Sequence, residues 1–364
     1  MASSVKPLQK ILFGSPGTGK SYKIRTIATE QLGIELDETT KTLANTVKTV
    51  FHPEYTYADF MGKLLPHTQG GNVTYKFYPG HFLQVLGNAY RSLMQGDETN
   101  HLLVIDELNR GNAAAIFGTV FQLLDRESDH WSSYDVDLSM LEMIELLRIM
   151  EINTLIVEDK ILVKPTNKSL SDYFSQIEHQ ESKPEMYRLA GLLKRSKICL
   201  PPNLSILATI NTSDESIYYL DSAFKRRWDW EYLPSPNDPL CAPDLIDRLA
   251  VLSEDASKLG GWANCIVGLN RFIIENSNSI KRIEDKQIGW WFIKPEDDHI
   301  SLNSIRDKLM FYLWDGVFSK DRRPLESLLT TLNDRSIKLV TFADFIEHTE
   351  MLIVYFDKTG NLPF

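Results

Sequence analysis

The stretch from residue 14 to residue 21 has the residue types and spacing of a loop that binds phosphate groups. It follows the apolar residues 11–13, precedes a segment over 22–30 that can continue as a helix, and reads Gly14-Ser15-Pro16-Gly17-Thr18-Gly19-Lys20-Ser21. Glycines let backbone N–H groups turn around phosphate oxygens, and the positive end of the following helix faces the same anion. We therefore expect this stretch to bind a nucleotide, with Lys20 on the β and γ phosphates and the Ser21 hydroxyl on Mg²⁺.

Two acidic residues follow an apolar run farther along the chain. Residues 102–105 read Leu-Leu-Val-Ile, which predicts a strand buried on both faces of a parallel sheet, and Asp106 and Glu107 come next. Open α/β sheets bind ligands at the carboxyl ends of their strands. Asp106 is expected to hold Mg²⁺ through water, and Glu107 to orient the attacking water or accept its proton. An acid pair after a strand also arises by chance, but its place downstream of a phosphate loop favours catalysis.

A third apolar run, 204–210, ends in Asn211-Thr212-Ser213-Asp214. Asn211 is expected to contact the γ-phosphate or the attacking water, and Asp214 is assigned to the same catalytic set. The alternative is that Ser213 or Asp214 only caps a helix over 215–219. Farther on, Arg226 and Arg227 either complement the dipole of a helix end or supply an arginine finger to a neighbouring subunit's nucleotide.

The elements that must position these residues form an alternating pattern of strands and helices. Strands are predicted over 46–51, 102–105 and 204–210, and helices over 21–32, 81–94 and 113–126, with a hairpin around 70–72. This is an α/β pattern with a parallel sheet between helices.

The predicted domain boundary lies in a cluster of Pro, Asn and Asp that begins at Pro234. Residues 1–233 would form the nucleotide-binding core and 234–364 a mainly helical lid, with helices over 245–258, 262–276, 302–314 and 325–333, a strand over 337–340 and a last helix over 345–356. Residues 128–198 are interpreted as an insertion, with helices over 138–150, 169–179 and 184–194 and a hairpin over 153–164. The insertion either packs passively or contacts a partner or substrate.

Composition limits the classes of function. The 364 residues are 43% hydrophobic and carry a net charge of −10, so the whole chain does not match nucleic acid electrostatically. The chain has neither an apolar run of membrane-spanning length nor a signal peptide, and a cytoplasmic location is expected. Cys199, Cys241 and Cys265 are far apart and are expected to be buried thiols in a reducing compartment.

The order of these motifs resembles the AAA+ ATPases, and several stretches are similar to their McrB-like branch. Residues 51–60, FHPEYTYADF, resemble that family's FH-x-x-Y-x-Y-x-DF segment, and residues 105–112, IDELNRGN, resemble its Walker B string. Residues 210–214 resemble its MN-T-x-D-R signature, residues 220–227 its D-x-A-(L/F)-x-RR stretch, and Ile288-Gly289 with the following aromatic group its lid motif IG-H-x-Y-F.

The resemblance implies a P-loop AAA+ core followed by a mainly helical lid, and a motor subunit of modification-dependent restriction systems. It implies ATP or GTP as substrate with Mg²⁺, a hexameric ring, a nuclease or McrC-like partner, and DNA contacted through that partner. Glu215 stands where the signature has arginine, and only about ten residues precede the first strand, without the DNA-reading domain of the best-known member. Two alternatives stay open: a nucleotide-gated regulatory subunit with slow hydrolysis, and a MoxR-like chaperone, against which the Asn109–Asn112 string argues.

Overall fold

The computed structural model describes residues 6–70, 72–97, 99–180, 183–211 and 218–362. The chain divides into two compact units. The sheet unit comprises Met1–Leu12, Ser21–Ile210 and Ser216–Glu231, and the helical unit comprises Phe13–Lys20, Asn211–Glu215 and Tyr232–Phe364. The phosphate-loop residues up to Lys20 thus belong to the helical unit. The domain boundary after residue 233 stays a prediction.

The elements up to residue 232 include both strands and helices. The strands are β1 (Gln9–Phe13), β2 (Leu36–Asp37), β3 (Thr42–Leu43), β4 (Thr46–Val50), β5 (Gly62–Gln69), β6 (Asn72–Pro79), β7 (His101–Asp106), β8 (Val136–Asp137), β9 (Thr154–Val157), β10 (Lys160–Val163), β11 (Lys168–Ser169), β12 (Lys197–Ile198), β13 (Leu204–Ile210) and β14 (Asp229–Tyr232). The helices are α1 (Lys20–Thr26), α2 (Tyr57–Met61), α3 (His81–Met94), α4 (Ala113–Phe117), α5 (Met140–Ile149), α6 (Leu170–Gln180), α7 (Pro184–Leu193) and α8 (Ser222–Lys225).

A five-stranded sheet in the order β14-β1-β13-β7-β4 organises the sheet unit. Both β4 and β13 pair with β7 in parallel, and the registers set Val50 opposite Asp106 and Ala208 opposite Ile105. The residues of β13 are all buried, as are the first five of β7, because a strand covered on both faces needs apolar side chains in both directions. Helix α3 packs on β4, β7 and β13. The predicted α/β fold, a parallel sheet flanked by helices, is confirmed.

The helix predicted over 113–126 is wrong in its second half. Helix α4 ends at Phe117, and the chain continues as a 3-10 helix over Gly118–Leu124. Gly118 has φ +49°, and a Cβ there would lie 2.8 Å from the ring of Tyr57. The close approach of this ring and the left-handed backbone both require glycine, and together they end the α-helix.

The elements of segment 128–198 match their predictions. Strands β9 and β10 form the expected hairpin, to which β11 adds a third strand, and α5, α6 and α7 are the three helices. Helix α5 begins at a capping box, in which Ser139 and Glu142 satisfy each other's backbone N–H groups. The hairpin of β5 and β6 is longer than predicted, since it includes Pro66 and the residues before it.

The helical unit contains a small sheet as well as helices. Its elements are α9 (Asp244–Arg248), β15 (Ala250–Leu252), β16 (Lys258–Gly261), α10 (Trp262–Glu275), α11 (Ile283–Lys286), β17 (His299–Ser301), α12 (Leu302–Ser304), the π-helical stretches Ile305–Met310 and Tyr312–Val317, α13 (Arg323–Asn333), α14 (Phe342–Ile346) and α15 (Thr349–Gly360). The helix predicted over 245–258 is wrong after residue 248, where α9 ends, because the chain continues as β15, which pairs with both β16 and β17.

The strand predicted over 337–340 is also wrong. The N–H of Ile337 donates to the Thr330 hydroxyl and the N–H of Leu339 to the Glu326 carboxylate, so side chains of α13 replace a strand partner. The last predicted helix, 345–356, is instead two helices, α14 and α15.

Helices α10 and α15 form the centre of the helical unit. A Cβ at Gly268 would lie 2.1 Å from the Phe356 carbonyl oxygen, so the two backbones approach as closely as glycine allows. Of the three thiols, Cys199 and Cys265 are buried but Cys241 is exposed, which corrects the prediction for Cys241. Every helix within the described ranges is too short or too polar to cross a lipid bilayer.

Candidate functional site

The phosphate loop has the backbone that its glycines predict. Gly14, Gly17 and Gly19 have φ values of +154°, +80° and +87°, which L side chains rarely adopt. The Thr18 hydroxyl donates to the Ser15 carbonyl at 2.9 Å and closes a tight turn within the loop. Substitution at any of these glycines would therefore strain the loop.

The side chain of Lys20 lies along this loop. Its ammonium donates to the carbonyl oxygens of Gly14 at 2.7 Å and Ser15 at 3.1 Å. An ammonium group beside a glycine-rich loop has the charge that complements a polyphosphate. Ser21 follows as an exposed residue in the first turn of α1, in the sheet unit.

The two predicted acids are joined to β13 by one buried side chain, Thr209. Its hydroxyl donates to Asp106 Oδ1 at 2.5 Å and accepts from the Glu107 N–H at 3.2 Å. The other carboxylate oxygen of Asp106 lies 3.1 Å from Lys48 Nζ, on β4. The parallel register of the three strands thus brings Thr209 and Lys48 to Asp106. Neither contact was predicted, because motif patterns do not reveal which residues of distant strands pair.

Glu107 is held in an uncommon backbone conformation. Its φ is +54° at the point where β7 ends, and its side chain is half-buried. A non-glycine residue in this region costs on the order of 1 kcal/mol, and such strain is concentrated at functional sites. The backbone therefore leaves the extended conformation of β7 directly after Asp106.

Three residues of the stretch 108–112, which follows Glu107, have packing or capping roles. Asn109 is buried, and its backbone carbonyl accepts a hydrogen bond from the Tyr218 N–H at 2.7 Å. A Cβ at Gly111 would lie 2.7 Å from the Ile116 side chain and 3.1 Å from the His52 carbonyl. Asn112 caps α4 by accepting from the Ala115 N–H. Residues 109–112 therefore hold the loop that follows Asp106 and Glu107 against the segment after β4.

The two arginines differ sharply in environment. The Arg227 guanidinium donates to one Asp125 carboxylate oxygen from Nε and Nη2, at 3.0 and 2.6 Å, and stacks 4.1 Å above the ring centre of Phe121. Its side chain is only 9% exposed. Arg226, by contrast, follows the last residue of α8 and is exposed to solvent. Of the two arginines, Arg226 is therefore the one that is exposed.

The residues after β13 are described only in part. Asn211 directly follows the last residue of β13 and is half-buried. Asp214, the alternative helix cap at Ser213 and the departure at Glu215 lie outside the described residues, so the roles assigned to them stay predictions.

The oxygen ligands in the sheet unit suit Mg²⁺. The Asp106 carboxylate and the Ser21 hydroxyl are hard donors, and Mg²⁺ sites in proteins use one or two carboxylates together with substrate phosphates and water. Lys48 competes for one Asp106 oxygen, but its side chain is 57% exposed and can rotate towards solvent. In the described part of the chain, His, Cys, Asp and Glu form no cluster that could hold a metal by itself.

The Thr209 contact gives a first prediction. Thr209→Val should lower nucleotide turnover by about 10- to 100-fold, because both acids lose the hydroxyl that positions them. Thr209→Ser should retain most of the activity. Thr49→Val is the matched control, since Thr49 is another buried strand threonine of the same sheet. Steady-state phosphate release measures the effect, and equal rates for the two valine variants would contradict it.

Two curated proteins align with the chain. It is 29% identical over 336 residues to the "Type II restriction enzyme BsuMI component YdiS" of Bacillus subtilis, covering 86% of this chain and 80% of that protein. It is 31% identical over 124 residues to the "Type IV methyl-directed restriction enzyme EcoKMcrB subunit" of Escherichia coli, covering 34% of this chain and 24% of that protein. No protein-family model matches the chain.

Solved structures also align along most of the chain. A putative ATPase from Cytophaga hutchinsonii aligns over 94% of this chain and 75% of its own, at 13% identity with a TM-score of 0.27. C. elegans PCH-2 aligns over 94% and 60%, at 11% identity with a TM-score of 0.22. Such scores support no statement about function. The curated alignments support the resemblance of this chain to McrB-like AAA+ proteins that its sequence motifs indicate.

Proposed function

We propose that this chain is a Mg²⁺-dependent nucleoside triphosphatase that works in a DNA restriction system. The observation that carries the proposal is the pair Asp106 and Glu107 at the end of β7, joined to β13 through Thr209. A carboxylate to hold the metal and a second one to activate water are what hydrolysis of a triphosphate requires.

Each predicted site residue has a role in the proposed reaction. Lys20 and the N–H groups of the glycine loop bind the phosphates, and Ser21 and Asp106 would hold Mg²⁺, which would supply neutralising charge to the phosphates. Glu107 accepts a proton from the water that attacks the γ-phosphorus, while Asn211 orients that water. Asp214 belongs to the same set by prediction. ATP and GTP are both candidate substrates, because the phosphate loop does not contact the base.

The exposed Arg226 supports a site completed by a second copy of the chain. We propose a ring, hexameric as the family resemblance implies, in which Arg226 reaches the neighbouring subunit's γ-phosphate. Because the aligned proteins are named as restriction-enzyme components, we also propose a nuclease or McrC-like partner that contacts DNA. Turnover would then drive or regulate that partner.

A second candidate is a nucleotide-gated assembly subunit with slow hydrolysis. The contact of Lys48 with Asp106 favours it, because an ammonium there competes with the metal ion. Phosphate release over many turnovers, measured with and without the partner subunit, separates the two. Sustained release supports the motor, and nucleotide-dependent assembly without release supports the assembly subunit.

Nucleotide binding tests the phosphate loop directly. Lys20→Ala should weaken the binding of fluorescent ATP and GTP analogues at least about tenfold, since the loop loses its only long cationic side chain. Lys23→Ala is the matched control, because Lys23 lies one turn farther along α1 and pairs with Glu231 at 3.3 Å. Equal affinities for the two variants would remove Lys20 from the nucleotide site.

A further inference from the structure

Residues 288–292, which we call the contact segment, lie against the phosphate loop within the helical unit. The Gly289 N–H donates to the Pro16 carbonyl at 2.8 Å, and the Trp291 N–H donates to the Gly17 carbonyl at 2.9 Å. Two consecutive carbonyl groups of the loop are therefore held by backbone donors of one segment.

The backbones of the contact segment and the phosphate loop approach so closely that neither Gly289 nor Gly17 has room for a side chain. A Cβ at Gly289 would lie 2.3 Å from the carbonyl carbon of Gly17 and 2.3 Å from the nitrogen of Thr18. A Cβ at Gly17 would lie 2.5 Å from the Phe292 nitrogen. Since these neighbours are backbone atoms, they cannot move aside as a flexible side chain can. Glycine at position 289 is thus required by space.

Helix α10 holds the contact segment in place. Asn270 accepts from the Ile288 N–H at 2.9 Å and donates to the carbonyls of Ile288 at 2.9 Å and Pro236 at 3.0 Å. Trp262 donates from its indole nitrogen to the Trp290 carbonyl at 2.9 Å. Both side chains are buried, at 2% and 0% exposure, and a buried amide with its hydrogen bonds made resists displacement.

These contacts determine which way the loop amides face. In a planar trans peptide, the C=O of one residue and the N–H of the next point in opposite directions. Holding the carbonyls of Pro16 and Gly17 towards the contact segment therefore turns the N–H groups of Gly17 and Thr18 away from it. The Gly17 N–H is among the donors that a phosphate-binding loop presents to its anion, whereas the Thr18 N–H donates to the Ser15 carbonyl at 3.4 Å.

We infer that the contact segment sets the phosphate-binding conformation of the loop and couples nucleotide binding to helix α10. Gly289, Asn270 and Trp262 are then positioning residues, which act on the nucleotide through the loop and not by touching it. Coupling of this kind is reciprocal, so bound nucleotide also stabilises the contact segment and α10. This inference rests on the proposed function, because it takes a nucleoside triphosphate as the ligand of the loop.

Gly289→Ala tests the inference. It should raise the Kd of a Mg²⁺–nucleotide analogue at least about tenfold while kcat at saturation changes little, because the loop amides bind ground state and transition state alike. Gly261→Ala is the matched control in the same unit, since a Cβ there meets only side-chain atoms, at 3.5 and 3.6 Å. Equal Kd values for the two variants would overturn the inference.

A second measurement needs no variant at the contact segment. In the wild-type chain, the nucleotide analogue should slow amide hydrogen exchange in residues 288–292 and in α10, and it should not do so in Lys20→Ala. Binding without this protection would overturn the coupling but leave the proposed function intact. If the wild-type chain binds no nucleotide, the proposed function fails and the inference fails with it.

Discussion

A Glu107→Gln protein is expected to bind Mg²⁺–nucleotide with wild-type affinity and to release phosphate about 10³-fold more slowly. Glutamine keeps the shape of the side chain but cannot accept the water's proton. The contact of Thr209 with residue 107 uses the backbone N–H, so the substitution leaves it in place. In this variant turnover should therefore fall while the affinity for nucleotide stays unchanged, whereas Lys20→Ala should lose affinity.

The chain offers a closely matched control for this experiment. Glu151 also has a positive φ, +64°, and lies in the same unit. It pairs with Arg91 at 2.9 Å on the surface, where ion pairs contribute little. Glu151→Gln should keep wild-type turnover. Wild-type turnover in Glu107→Gln as well would show that Glu107 neither activates nor orients the attacking water.

Arg226→Ala should lower turnover by about 10³-fold or more without changing thermal stability. Arg227→Ala should instead destabilise the fold by about 3 kcal/mol, because it leaves the Asp125 carboxylate without the guanidinium that pairs with it at 2.6 Å. Phosphate release and thermal unfolding, measured on both variants, separate the two roles. If Arg227→Ala were stable but had low turnover, and Arg226→Ala were active, then Arg227 would be the arginine that acts on the nucleotide and Arg226 would not.

Mixing variants tests whether Arg226 acts on a neighbouring subunit. A Glu107→Gln chain still carries Arg226, and an Arg226→Ala chain still carries Glu107. Randomly mixed rings made from equal amounts should regain about a quarter of wild-type turnover, since half the sites keep Glu107 and half of their neighbours supply Arg226. If the mixed rings assemble normally but turnover does not recover, Arg226 acts within its own subunit.

The main elements around Asp106 and Glu107 could be predicted because their sequence patterns are strong. The strands β7 and β13 are continuous apolar runs, and α3 repeats apolar residues with helical period over the whole of His81–Met94. The short strands β15, β16 and β17 could not be predicted, because β16 ends in two glycines and each is at most four residues long.

The contacts that organise the candidate site depend on pairing between distant parts of the chain. In the sequence, nothing distinguishes Thr209 from other strand residues or Asn270 from other helix residues. The register of β13 and β7 brings Thr209 to Asp106, and the fold of the helical unit brings Ile288 to Asn270. The environment of Arg227 likewise depends on Asp125, which is distant in sequence. Motif spacing predicts the residues that carry charge, whereas the residues that orient them follow from tertiary packing.

We propose that the phosphate loop and the acids of β7 serve one metal-bound triphosphate. A crystal of the chain grown with a non-hydrolysable triphosphate and Mn²⁺ would test this, because anomalous scattering locates the metal. We expect one Mn²⁺ peak bound by Ser21 Oγ and by Asp106, directly or through one water, with the γ-phosphate as a further ligand. A triphosphate bound away from residues 14–21, or a metal remote from Asp106, would contradict it.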